Sequence, residues 1–167
     1  SIIARPVIDA AQLNEKVNTI ITEVVVGGDD AIKKLTLQFD GISIHELKVS
    51  AEKIATAENL VTAGLKTAIQ LAKVNIEIFH NSQIQKVERI ETMPGVWCWR
   101  KSVGIEKVGI YIPGGSAPLF STVLMLGVPA KMAGCKEIIL CTPPNEHGDI
   151  HPAILYAASL VGVTSIY

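Results

Sequence analysis

The strongest constraint on this chain is a pattern in its last third. Short apolar runs alternate there with apolar stretches of helix length. Val108–Ile112 and Glu137–Cys141 read as strands, Ser121–Ala133 and Pro152–Val161 as helices, and Val163–Tyr167 begins a third strand. The interval from strand to strand is about 30 residues, the length of a βαβ unit with parallel strands. The runs are apolar throughout rather than alternating, which predicts strands covered by helices on both faces. The fold class is therefore α/β. A doubly wound sheet seldom stops on a third strand, which would leave an edge and lack its covering helix. The expectation is that Tyr167 is a truncation point.

The preceding residues read differently. Asp9 is placed to cap a helix whose apolar positions are Leu13, Val17, Ile20, Ile21 and Val24, stopped by Gly27-Gly28. Asp29 starts a second helix with Ile32, Leu35 and Phe39 on one face, ending at Asp40-Gly41. Ile42–Val49 is strand-like. Ser50 caps a helix over Ala51–Leu60, and another spans Ala63–Phe79 with Leu65, Ile69, Ala72, Ile76 and Phe79 on its buried stripe. Ile84–Glu91 and Val96–Lys101, joined by the turn Met93-Pro94-Gly95, form a β-ribbon. The predicted organisation is a helical segment with β-ribbon over 1–103 and an α/β unit over 104–167.

With 167 residues, the chain has the length to bury a core without staples. A net charge of −1 leaves no basic surplus for phosphates, which excludes nucleic-acid binding as the expected function. The longest apolar run, Val123–Met132, is broken by Gly127, Pro129 and Lys131, so no membrane partner is expected. Three cysteines, Cys98, Cys135 and Cys141, cannot all pair and lack C-x-x-C spacing. Free thiols in a reducing, cytoplasmic setting are expected.

The most informative segment is Gly109-Ile110-Tyr111-Ile112-Pro113-Gly114-Gly115-Ser116-Ala117-Pro118. It joins a parallel strand to its helix, at the edge where open α/β sheets bind ligands. Two glycines permit close backbone approach, and Ser121 and Thr122 are placed to cap a helix whose N-terminus attracts anions. The spacing is not G-x-G-x-x-G, however, and no carboxylate after Cys141-Thr142-Pro143-Pro144 is placed for a ribose. On residues alone, a ligand loop and a bare Gly/Pro turn remain equally open. Cys141 at a strand's C-terminal end reads as a buried thiol, since no activating base stands near it. Pro129 should kink its helix. Trp97 and Trp99 share one face of their strand, against a helix or a partner. His45, His80, His147 and His151 form no cluster with zinc spacing.

The run from Gly109 to Cys135, with Glu137-Ile-Ile-Leu-Cys-Thr-Pro-Pro144 after it, closely resembles histidinol dehydrogenase. Earlier pieces agree in order: Gly28-Asp29-Asp30-Ala31, Phe39-Asp40-Gly41, Leu47-Lys48-Val49-Ser50, Asn75-Ile76 with Phe79-His80, and Glu91-Thr92-Met93-Pro94-Gly95-Val96. The resemblance implies a cytoplasmic, homodimeric enzyme that requires zinc and oxidises L-histidinol via L-histidinal to L-histidine with two NAD. It implies the first half of an incomplete Rossmann-like unit at 104–167. It also implies that Tyr111, with the loop Gly114, Gly115 and Ser116, faces NAD. The family's zinc ligands and acid–base pair lie past the point where Tyr167 falls, so no catalytic residue and no metal ligand is assigned in this chain, and the chain alone is expected to be inactive. Gly104 stands where the family usually has proline, which implies a looser approach to the strand. Two rival readings stand beside this one. One is a non-catalytic interaction module using its sheet edge. The other is an aldehyde-dehydrogenase-like enzyme with Cys141 as nucleophile.

Overall fold

The two glycines at 27–28 shape the first part of the molecule. The computed structural model describes residues 11–115 and 117–167, which form two compact units divided between Leu47 and Lys48. In the first unit, helix α1 (Ala11–Asp40) is broken at Gly28, whose φ of 54° and ψ of −136° are not helical. Only glycine adopts that conformation readily. Lys34 Nζ reaches Glu23 Oε1 at 2.6 Å although the two are 11 residues apart. In a straight helix they would be separated by about 16 Å along the axis, so the two halves fold back on each other. The break falls where the sequence predicts the first helix to stop. The second half ends at Asp40, and Gly41 follows with a φ of 71°. Of the expected apolar faces, Leu35 is buried, whereas Leu13, Val17, Ile21 and Phe39 are exposed; Ala31, outside those faces, is buried as well. Asp9 lies outside the described residues.

The segment expected to be a strand runs across the division between the two units. Residues 42–49 form none; only Val49 meets a strand edge, its N–H donating to Ile166 O at 2.9 Å. Ser50 then caps α2 (Ala51–Ala57), its side chain accepting from the Lys53 N–H at 3.2 Å. A 3₁₀ turn over Glu58–Leu60 follows. Thr62 caps α3 (Ala63–Asn81) in the same way, through the Leu65 N–H. Ile69 of α3 is buried, and Leu65, Ala72 and Ile76 pack beside it, while Phe79 is exposed. Helix α3 packs on α4 (Phe120–Met132) and α2 on α5 (Pro152–Val161). The predicted helices over 51–79 thus share a unit with the sheet. Strands β1 (Arg89–Met93) and β2 (Val96–Trp99) pair antiparallel as the predicted ribbon. Trp97 and Trp99 stand on one face of it, with the Arg89 guanidinium 5.2 Å from the Trp99 ring. Both tryptophans are exposed.

Strands β3 (Lys107–Tyr111), β4 (Glu137–Cys141) and β5 (Ser165–Ile166) form a parallel sheet in the order β3-β4-β5. Its register explains its burial. Val108 pairs with Ile138, and Ile110 with Leu140, which pairs with Ile166. Side chains paired in register share a face, and this face carries the core with α4 and α5. The opposite face carries Lys107, Gly109 and Tyr111 beside Glu137, Ile139 and Cys141, and among the described residues no helix covers it. Among the described residues, the expectation of helices on both faces is met on one face only. Both crossovers of β3-α4-β4-α5-β5 lie on one side, as right-handed connections advancing in one direction must.

Helix ends also depart from expectation. Ser121 and Thr122 do not cap α4. Leu119 occupies the cap position without a side-chain bond. The helix runs on through Pro129 to Met132. It then closes with the Cys135 N–H on Ala130 O and the Gly134 N–H on Lys131 O, the paired bonds of a Schellman turn, with Gly134 at φ 87°. Helix α5 ends identically at Gly162. Gly127 of α4 lies against α5 so closely that a Cβ there would fall 2.5 Å from Val161 Cγ2.

Cys98 and Cys141 are exposed and Cys135 is buried, and all three are unpaired. Cys141 is thus not the buried thiol that its strand position predicts, because it falls on the open face. Native-state labelling with a maleimide, read by mass spectrometry, should modify Cys98 and Cys141 within minutes and spare Cys135 until denaturant is added. Rapid labelling of Cys135 would contradict the packing.

Candidate functional site

At the C-terminal end of the sheet, the loop after β3 and the loop after β4 face each other across a cleft of about 240 Å³. Gly114 and Gly115 line one side, and Thr142, Asn145, Asp149 and His151 the other. The two walls come close at Gly114. A Cβ on Gly114 would lie 2.8 Å from Pro143 Cγ, so glycine there lets the loops approach. The loop 142–151 holds its shape through Asn145. Its Oδ1 accepts from the His147 N–H at 2.9 Å and the Asp149 N–H at 3.0 Å, and its own N–H donates to Asp149 O at 2.8 Å.

His151 closes this loop and starts α5. Its Nδ1 accepts from the Ala153 N–H at 3.1 Å, and Pro152 takes the first helical position. Proline is suited to that position, since its missing N–H would be unpaired there anyway. The Pro152 signal was legible in the sequence, while the cap was not, because histidine is outside the usual capping residues.

Tyr111, the last residue of β3, pairs in register with Cys141 and is exposed on the open face of the sheet. The structure therefore brings Gly114 and Gly115 to the cleft and sets Tyr111 at the same end of the sheet, outside the cleft lining. Ser116 lies outside the described residues. Gly104, expected to loosen the approach to β3, is instead packed tightly: a Cβ there would fall 2.3 Å from Ala133 O.

The histidines sit apart. His80 Nδ1 lies 2.8 Å from Gln83 Oε1 near the end of α3, His147 pairs with Glu146 at 3.7 Å, His151 caps α5, and His45 belongs to the first unit. Among the described residues, no three His, Cys, Asp or Glu side chains are grouped to hold a metal. The residues described here do not fit a zinc site. The glycine-lined cleft fits a ligand that needs close backbone contact. No helix among the described residues is long and apolar enough to cross a membrane.

A model of the histidinol dehydrogenase family matches residues 3–167. This chain belongs to the histidinol dehydrogenase family. The histidinol dehydrogenase of Bacteroides thetaiotaomicron is 55% identical over 166 residues, which is 99% of this chain and 39% of that protein. That of Bacteroides fragilis is 52% identical over the same length. The crystal structure of histidinol dehydrogenase from Elizabethkingia anophelis superposes with a TM-score of 0.91 at 52% identity, covering 98% of this chain and 38% of that one. The chain thus spans about two fifths of the length of the relatives it matches.

Proposed function

We propose that this chain is the N-terminal part of a histidinol dehydrogenase that oxidises L-histidinol via L-histidinal to L-histidine. The family match over 3–167 carries this reading. The proposed cofactors of the whole enzyme are NAD and zinc, its state a homodimer, and its compartment the cytoplasm. Residues 104–167 form the first part of the NAD unit, and 1–103 the helical segment with its ribbon. NAD, when bound, accepts a hydride in each of two successive oxidations.

The chain's own contribution is positioning. Gly114 and Gly115 offer backbone unshielded by side chains at the C-terminal edge of the sheet, where α/β folds take up cofactors. Tyr111 supplies an aromatic surface at the same end of the sheet, and Ser116 is proposed as a further cofactor contact. Hydride transfer requires both reactants at near-contact distance. One wall of a cofactor site cannot impose that, and among the described residues no three His, Cys, Asp or Glu side chains group to hold a metal. The 167-residue chain alone is therefore proposed to be inactive.

The test compares the chain with a full-length enzyme carrying it, in zinc, NAD and L-histidinol, by NADH absorbance. The full-length protein should turn over two NADH per histidinol, and Tyr111→Ala should weaken its NAD binding about tenfold, the worth of one lost aromatic contact. Turnover by the 167-residue chain near the full-length rate would overturn the division of labour. A full-length protein without turnover would overturn the activity.

A further inference from the structure

We propose that Lys53 is the counter-charge that lets the cleft accept an anionic ligand, here the diphosphate-bearing cofactor; the inference rests on the NAD reading above. Asp149 lines the cleft across from Gly114 and Gly115. Its position is fixed by its own loop, through the hydrogen bonds of Asn145 to its backbone N–H and C=O. A lone carboxylate held there would repel a diphosphate. Lys53 removes that charge: its Nζ donates to Asp149 Oδ1 across 96 residues of sequence.

The ammonium is delivered by an anchored segment. Ser50 caps α2 through the Lys53 N–H, Val49 N–H binds Ile166 O at 2.9 Å, and Lys48 Nζ lies 6.0 Å from the centre of the Tyr167 ring. Of the loop's other ionisable side chains, Glu146 and His147 lie 3.7 Å apart and do not line the cleft, while His151 lines it with its Nδ1 engaged by the Ala153 N–H. Both partners of the Lys53–Asp149 pair are about half exposed, 45% and 55%. Such a pair adds little to folding. Its charge balance nevertheless acts on a ligand that binds within a Debye length, about 8–10 Å at ordinary salt.

A tether and a counter-charge give different results on substitution, since removing either partner breaks a tether whereas only removing the lysine leaves a bare carboxylate. NAD binding to the full-length enzyme is measured by calorimetry at low and high salt, for Lys53→Ala, Asp149→Asn and the double variant. Lys53→Ala should raise Kd about fivefold at low salt, as one unit charge about 8 Å from a phosphate does at intermediate dielectric. The increase should shrink to under about twofold at high salt. Asp149→Asn should lower Kd at low salt, since it leaves the Lys53 ammonium unbalanced, and the double variant should fall between the two single variants. Equal weakening by Lys53→Ala and Asp149→Asn would show a tether and overturn the proposal, as would an unchanged Lys53→Ala. A full-length enzyme that binds no NAD would instead remove the cofactor reading, and the role of Lys53 with it.

Discussion

Gly104→Ala is expected to destabilise the protein by about 3 kcal/mol, the upper end of what overpacking costs. The thermal midpoint should fall by roughly 6–12 °C at about 2–4 °C per kcal/mol for a chain of this size. The methyl carbon would stand 2.3 Å from Ala133 O and 2.9 Å from the Gly134 carbonyl carbon. Those atoms are backbone, at the Schellman turn that ends α4, and no rotamer change moves them aside. Either the turn opens, losing the Cys135 and Gly134 hydrogen bonds to Ala130 and Lys131, or the approach to β3 shifts. Cys135, buried just past that turn, would move with it.

Gly104→Pro separates the two readings of this position. If glycine loosened the approach to β3, proline would stiffen the unfolded chain and raise stability by about 0.4–1 kcal/mol. The packing predicts the reverse, since the pyrrolidine ring carries a Cβ into the same carbonyl oxygen. A melting curve by circular dichroism decides it, and a higher midpoint for Gly104→Pro would show that the close approach is not there in solution.

Gly104 also marks where sequence reading ran short. The sequence located elements whose signals are local. Strand β4 and helix α5 fall on the residues predicted, because an unbroken apolar run, Pro152 at a helix start and Gly162 past its end each act within a few residues. Ser50 was legible as a cap for the same reason. What the pattern could not give was which atoms from distant segments meet. Gly104 against Ala133, Gly114 against Pro143 and Lys53 on Asp149 all depend on the completed fold. Ile42–Val49 has the apolar content of a strand, yet only one of its backbone groups reaches a strand edge. Strand runs apolar on both faces correctly announced a parallel sheet and overstated its cover among the described residues, since Tyr111 and Cys141 stand on a face that α4 and α5 do not reach. At the site, the loop after β3 was legible from its glycines, and its opposite wall was not, since Thr142, Asn145 and Asp149 carry no motif.

Gly114→Ala is expected to raise the Kd for NAD of the full-length enzyme about tenfold while leaving the thermal midpoint within about 2–4 °C, the shift of one kcal/mol. The added Cβ would lie 2.8 Å from Pro143 Cγ, so the two cleft walls must part. A ligand held between the walls must draw them together against the added methyl, and about 1.4 kcal/mol of that cost is one factor of ten in affinity. Stability is spared because Gly114 and Pro143 lie outside the buried core cluster, and two surface loops can separate without opening it. Pro143→Ala in the Gly114→Ala background removes the obstructing ring and should return most of the affinity, a coupling that a double-mutant cycle measures directly. Gly115→Ala is the control for ligand approach. Its Cβ would meet no atom within 4 Å, so the free protein is unstrained and any weakening reports the space that the ligand itself needs. Unchanged NAD affinity in both Gly114→Ala and Gly115→Ala would place the cofactor elsewhere, on the open face with Tyr111 rather than between the loops.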